Sequence, residues 1–337
     1  LVEKRGNRRL DFCVTEDQEA LRAGIRSFCE GRMPFEAVVE QAIKPFDGAL
    51  WRDLAELGVL SLRTRENDGG LGLGMAEAVL VFAELGRRLL PGPLIWSALI
   101  AGLLPEVGEG GLVVTGLDQT RPASGPLMIE HWEGSNTLIV LDVEGVRRIE
   151  TDALQARAVE TPLDPLTPVH QVQELPPGER LADSATCQRL WSEGALLTAA
   201  QQLGIAVATL EYATSYGLER EQFDRPIGSF QAIKHMLADM LVRKEQAMAA
   251  VYAAAATMDG RGVDDPQRMI STAKLIAGEA AHKNARNCLQ IYGGMGYVWE
   301  MPPHFYLKRA FVLENGFGTM DEHADRIADR LGASASG

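Results

Sequence analysis

The sequence predicts an α+β protein that is mainly α, with an N-terminal helical domain, a small middle β domain and a C-terminal helical bundle. Two observations predict it. Apolar residues recur at three- and four-residue spacing over both ends of the chain. Between them lies a stretch of some seventy residues where short β-prone runs alternate with Pro and Gly. The boundaries are placed at 11–105, 106–183 and 184–335.

In the first zone, Thr15-Glu16-Asp17 reads as an N-cap with an acidic first turn, followed by Leu21, Ile25 and Phe28 on one helical face. "LWRDLAELGVL" is a second amphipathic helix ending at Gly58, and "GMAEAVLVFAELGRRLLPG" a third that stops before Pro91. The glycine-rich "DGGLGLG" between them lacks the G-x-G-x-x-G spacing and follows a helix, so it reads as a helix–helix turn. In the middle zone "GLVVTGL", "PLMIE" and "TLIVLDV" are strands. Helices return from Ser184, with long runs at Ala185–Tyr216, Ser229–Met258 and Pro266–Ile291.

Composition narrows the function. The 337 residues carry a net charge of −13, with 46% hydrophobic and 23% charged residues. An acidic chain without clustered Lys and Arg is a poor partner for nucleic acid. The longest apolar runs, near Leu94–Leu104 and Ala247–Met258, fall short of a membrane span. The basic "LVEKRGNRRL" has no apolar stretch after it and does not read as a secretion signal. Cys13, Cys29, Cys187 and Cys288 are scattered without a C-x-x-C pair, which suits reduced thiols and a cytoplasmic location. The six histidines show no metal-ligand spacing, "DEH" at Asp321–His323 reads as a solvated helix face, and no G-x-S-x-G elbow is present.

Two stretches carry chemistry. "REQFDRPIGSFQAIKHMLADM" interrupts helical sequence with Pro226-Ile227-Gly228, and "QIYGGMGYVWEMP" ends a helix in three glycines where one would cap it. Glycines let backbone amides approach a flat or anionic ligand. Together with "GGLGLGMAEAVLVFAELGR", these segments resemble the acyl-CoA dehydrogenase family, the first matching R-x-x-F-G-[KR]-P-I-x-x-[FH]-Q and the second Q-x-x-G-G-x-G-[YF]-x-x-E-x-P. The similarity covers most of the chain. Asp224 stands where the family has Gly.

The resemblance implies an FAD-dependent flavoprotein in which these segments reach across a subunit interface to the neighbour's FAD. Carried over, Arg220 would pair with the pyrophosphate, Phe223 would pack on the cofactor and Gln231 would hydrogen-bond to it. Gln290, Gly293 and Gly294 would lie near the adenosine and phosphates. The catalytic machinery departs. The family's basic Glu in an E-G-T triplet aligns with Phe317-Gly318-Thr319, and phenylalanine accepts no proton. An alternative base position, 26 residues before Arg220, is Gly194. Glu193 and Glu314 flank these positions and read as surface charges. The family's T-E-P-x-x-G-S-D loop, which meets the flavin ring, has only "VTGLDQTRPASGP" as its counterpart.

No catalytic residue is therefore assigned, and no metal. The expected function is a subunit, built to complete the FAD site of a homologous catalytic partner in an α2β2 heterotetramer. That assembly would desaturate an acyl-CoA substrate, by resemblance a bulky one such as a steroid side-chain thioester, and pass electrons to an acceptor protein. The alternatives are a self-sufficient homo-oligomeric dehydrogenase with a displaced base, and a non-enzymatic subunit that binds CoA esters.

Overall fold

The computed structural model describes residues 14–42, 46–121, 125–261 and 265–335; Cys13 lies outside them. Among the described residues six α-helices come first: α1 (Glu16–Arg32), α2 (Phe35–Gln41), α3 (Gly48–Glu56), α4 (Met75–Arg87), α5 (Leu94–Ile100) and α6 (Pro105–Gly108). Thr15 caps α1 in a reciprocal box with Gln18, satisfying amides that the first turn leaves without partners. Gln18 also donates to Glu77 of α4 at 2.7 Å and accepts from Tyr252 at 2.7 Å, so the cap doubles as a tie between helices.

Seven strands follow: β1 (Val114–Gln119), β2 (Leu127–Glu130), β3 (Thr137–Asp142), β4 (Gly145–Glu150), β5 (Ala156–Ala158), β6 (Val169–Val172) and β7 (Glu179–Asp183). One sheet has the order β1-β3-β4-β7, with β1 and β3 parallel; the other has the antiparallel order β2-β6-β5. Strand β3 is apolar on both faces because both are covered. Its alternate residues Ile139 and Leu141 join the main core, whereas Leu138 and Val140 pack on Ile129, Ile149 and Val172.

The C-terminal part holds α7 (Ser184–Glu219), a hairpin of β8 (Glu221–Gln222) and β9 (Arg225–Pro226), then α8 (Gln231–Met258), α9 (Pro266–Tyr292), α10 (Pro303–Asn315) and α11 (Met320–Ala335). Asp183 caps α7 through the Thr186 amide at 2.9 Å, and Asp265 caps α9, where Pro266 occupies the first turn. Helix α7 touches α4, α5, β3, β4, α8, α9 and α10. Surrounded on every side, it is apolar all round rather than striped. The α–β–α order with a helical C-terminal bundle is the predicted fold class.

Three ties run between these units. Asp259, just past α8, accepts the Met75 and Ala76 amides at the start of α4, each at 2.9 Å. Trp191 Nε1 donates to Asp118 of β1 at 2.7 Å. Buried Arg309 of α10 pairs with buried Asp164 and donates to the Leu90 carbonyl at 3.3 Å. Losing one member of a buried pair of this kind costs about 3–5 kcal/mol, because the other charge is stranded. No described helix is long and apolar enough to cross a membrane.

Candidate functional site: a closed cleft and an open edge

The cleft between α5, β1, α7 and the turn after α10 contains the positions where a base was sought. Phe317 sits in that turn with φ 54°, a conformation uncommon for a bulky residue, and is only 4% exposed. Its ring lies over Gly194 of α7, where a Cβ would come within 2.5 Å of it. Across the cleft, Trp96 of α5 meets the Phe317 ring at 4.9 Å between centroids and covers Gly116 of β1, where any Cβ would fall inside the indole. Two aromatic rings thus fill two hollows made by glycines, and they touch one another.

The Phe317 turn is clamped from α11 and α9. His323 Nε2 lies 3.0 Å from the Phe317 carbonyl and its Nδ1 3.0 Å from Ser271 Oγ. Lys274, fully buried, donates its ammonium or amine hydrogens to the Leu313 and Glu314 carbonyls at 3.0 and 3.1 Å, capping the end of α10. Burial brings Lys274 down to about 7 and His323 down to about 4.

Three expectations are corrected here. Glu193 is not a surface charge: it is 3% exposed and held by Arg63 at 2.6 Å and Arg189 at 2.9 Å. One step along a helix turns a side chain by about 100°, but α7 has protein on that side too. Glu314 is partly buried, its carboxylate 2.9 Å from His282 Nε2. Asp321–His323 is not a uniformly solvated face, because His323 is wholly buried beside Trp191, with ring centroids 5.4 Å apart.

The second region is an edge at the far end of α7. Arg220 caps that helix, exposed, and its guanidinium has no hydrogen bond or ion pair among the described residues. Neither Glu219 nor Glu221 engages it. Phe223 and Asp224 form the two-residue turn of the β8–β9 hairpin with φ 54° and 61°, the left-handed pair that such turns require. Asp tolerates that conformation better than most residues, which explains how it stands where the related segment has Gly. Phe223 is 86% exposed, its ring edge-on to Phe230 at 6.1 Å, and the Arg225 guanidinium lies 4.0 Å over Phe230.

Closure of the hairpin explains the Pro-Ile-Gly break. The Ile227 amide donates to the Arg220 carbonyl at 2.8 Å, and Gly228 passes so close to Gly217 that a Cβ would sit 2.8 Å from its carbonyl oxygen. Gln231 then opens α8, exposed. Gln290, in the last turn of α9, is exposed, and Gly293 follows with φ 59°. Nothing lies within 4 Å of a Cβ built on Gly293 or Gly294, so the backbone there is open on its outer side. The stack of Tyr216 on Tyr292, 3.9 Å apart and 13° from parallel, joins the two segments over a small core with Ile227, Ile233 and Ile291. The structure therefore brings Arg220, Phe223 and Gln231 to the same end of the bundle as Gln290, Gly293 and Gly294. Chemically this edge offers a guanidinium, two amides, an aromatic face and bare backbone, a set that suits a flat, anionic ligand.

Nothing in the sequence marks Trp96 or Gly116 as cleft residues; they are twenty positions apart, and only the packing of α5 on β1 joins them. Glu130, His131, Gln201 and Arg309, which line the remaining space beside Phe317, were equally silent.

Residues 15–109 match the acyl-CoA dehydrogenase N-terminal domain model and residues 187–332 the C-terminal domain model. The acyl-CoA dehydrogenase IpdE2 of Mycolicibacterium smegmatis is 31% identical over 328 residues, covering 93% of this chain and 98% of that protein. Among solved structures, the ChsE4-ChsE5 complex from Mycobacterium tuberculosis shares the fold with a TM-score of 0.82 at 24% identity, over 96% of this chain and 99% of that one. A Tcur3481-Tcur3483 steroid ACAD variant does so with a TM-score of 0.80 at 23% identity, over 96% and 100%. The chain belongs to the acyl-CoA dehydrogenase family, whose cofactor is FAD.

Proposed function

We propose that this chain is the non-catalytic subunit of a mixed acyl-CoA dehydrogenase, and that its open edge completes the FAD site of a homologous partner. One observation carries the reading. Both positions from which a base could act, 317 and 194, hold a phenylalanine and a glycine packed on one another. Of the two flanking carboxylates, Glu193 is bound by two arginines and Glu314 faces His282, so neither is free to take a proton from a substrate.

FAD fits one half of this chain and not the other. At the edge, Arg220 would meet the diphosphate, Phe223 the cofactor's flat face, and Gln231, Gln290, Gly293 and Gly294 its polar groups and phosphates. In the cleft, the Trp96 and Phe317 side chains occupy the ground beside β1 where a flavin ring would need room. When bound, FAD supplies the hydride acceptor; this chain's residues bind and orient it, and the base comes from the partner. In this division the unit 184–335 presents the edge at one end, and at the other it closes the cleft together with α5 of 11–105 and β1 of 106–183. The names of the two-protein structures above support assembly with a second, homologous chain, which we take as an α2β2 heterotetramer, and a steroid-like substrate.

The visible spectrum tests the reading. Alone, the chain should be flavin-poor and prone to aggregate, because Leu218, Phe223, Tyr297 and Val242 are exposed together with the edge. Co-produced with its partner, the complex should be yellow with fewer than one flavin per chain. A yellow, active chain on its own would favour the self-sufficient enzyme, with loss of turnover in Glu193→Gln or Glu314→Gln naming the base. A chain that is colourless in both states would favour a CoA-ester-binding subunit.

A further inference from the structure

Beside the Trp96–Phe317 contact, the cleft keeps a chamber of about 70 Å³. Its lining is unlike that of an acyl pocket: Glu130, His131, Thr198, Gln201 and Arg309 face it among apolar residues. Gln201 is 6% exposed, and its amide has no hydrogen-bond partner among the described residues. Arg309 is 5% exposed; its Nε is taken by Asp164 and its Nη1 by the Leu90 carbonyl, and its Nη2 has no partner among the described residues. The Glu130 carboxyl and His131 ring, both half-buried, make no hydrogen bond among the described residues.

The charges leave the chamber rich in donors. Asp164 is already engaged by Arg309, by Thr167 Oγ1 at 2.8 Å and by the Leu166 amide at 3.1 Å. Burial pushes Glu130 up to about 7, so that near neutrality much of it is a carboxylic acid with a hydrogen to donate. Burial and the Arg309 charge hold His131 down to about 3, leaving a neutral ring with one N–H. A guanidinium, a primary amide, an acid hydrogen and an imidazole N–H meet a carboxylate's four lone-pair sites better than water, which donates as often as it accepts. A space of that size, open to a water-sized sphere, holds several waters and so has room for a small acid.

We propose that this chamber is a binding site for a small monocarboxylate of formate or acetate size, held by Arg309 and Gln201 with Glu130 beside them in the wall. The proposal concerns this chain's own cleft and does not depend on its edge completing a partner's FAD site. The groups that face Glu130 fix its pH dependence: Arg309 favours its ionised form, Asp164 opposes it, and His131 is uncharged. The site is competent below about pH 7 and weakens about ten-fold per unit above it, as the ionised Glu130 repels the ligand.

The experiment titrates sodium formate and sodium acetate into the full chain, within its complex, at constant ionic strength against sodium chloride. Melting temperature and the line width of ¹³C-formate are read at pH 6 and 8.5. A saturable rise in melting temperature and a broadened line at pH 6, both lost in Gln201→Leu, are expected. Glu130→Gln should bind equally at both pH values, because its amide donates without titrating. A response no larger than that to chloride, or one unchanged by both substitutions, overturns the proposal in favour of a chamber that holds water alone.

Discussion

The closed cleft and the open edge sit at different ends of the same long helices, and they have been treated in opposite ways by the sequence. In the cleft, side chains able to do chemistry are replaced by aromatic rings locked into glycine hollows. At the edge, the glycines are uncovered, the arginine is unpaired and the aromatic Phe223 projects outward. A glycine in this fold therefore has no fixed meaning. Gly194 and Gly116 are small so that another residue of this chain can come in; Gly294 is small with none of the described residues against it. Only the neighbours distinguish the two cases.

The largest effect that sharpens this contrast is expected at Phe317. Phe317→Ala should destabilise the fold by about 3–5 kcal/mol, as for other buried aromatics, measured by denaturant unfolding. The same variant should leave kcat of the complex within a few-fold, whereas loss of a true general base would cost at least about 10²-fold. Gly194→Ala should cost about 1–3 kcal/mol by overpacking. Most of that cost should vanish in the Phe317→Ala background, a coupling that a double-mutant cycle reads directly. Additive effects would mean that the ring does not hold the hollow.

At the edge, the expected effect is on binding and not on folding. A charge-assisted contact is worth about 1.5–3 kcal/mol, so Arg220→Ala should weaken FAD binding by the complex roughly ten- to a hundred-fold. Arg220→Lys should recover part of it, since an ammonium lacks the planar fork. Sedimentation should show the assembly intact. Unchanged FAD affinity in an intact complex would remove the contrast altogether. The smallest effect belongs to the hairpin: Asp224→Gly should change the melting free energy by less than about 1 kcal/mol, because Asp already tolerates the left-handed turn.

The longer helices, three strands of the middle unit (β1, β2 and β3) and the order of the units were legible because period and punctuation are local properties. Thr15 and Gln18 announce α1, and Pro226-Ile227-Gly228 announces the break before α8. The edge was legible for the same reason, since its residues lie in two short contiguous segments. The contents of the cleft were not. Trp96, Gly116, Gly194 and Phe317 come from four separate elements, and no spacing relates them. Glu193 was misjudged because α7 lacks a solvent face along its middle, so a charge there must find partners inside, as it does in Arg63 and Arg189. His323 was misjudged because its neighbours Asp321 and Glu322 are polar, while its own ring turns inward to the Phe317 carbonyl.

The meeting of Phe317 with Gly194 also bears on ancestry. A side chain at 194 is barred while the phenylalanine is in place, and removing the phenylalanine first leaves a hole. A single substitution that places an acid at either position therefore meets a packing cost: a side chain at 194 runs into the ring, and a smaller one at 317 leaves the hollow unfilled. The pair resists reversal one residue at a time, by packing alone.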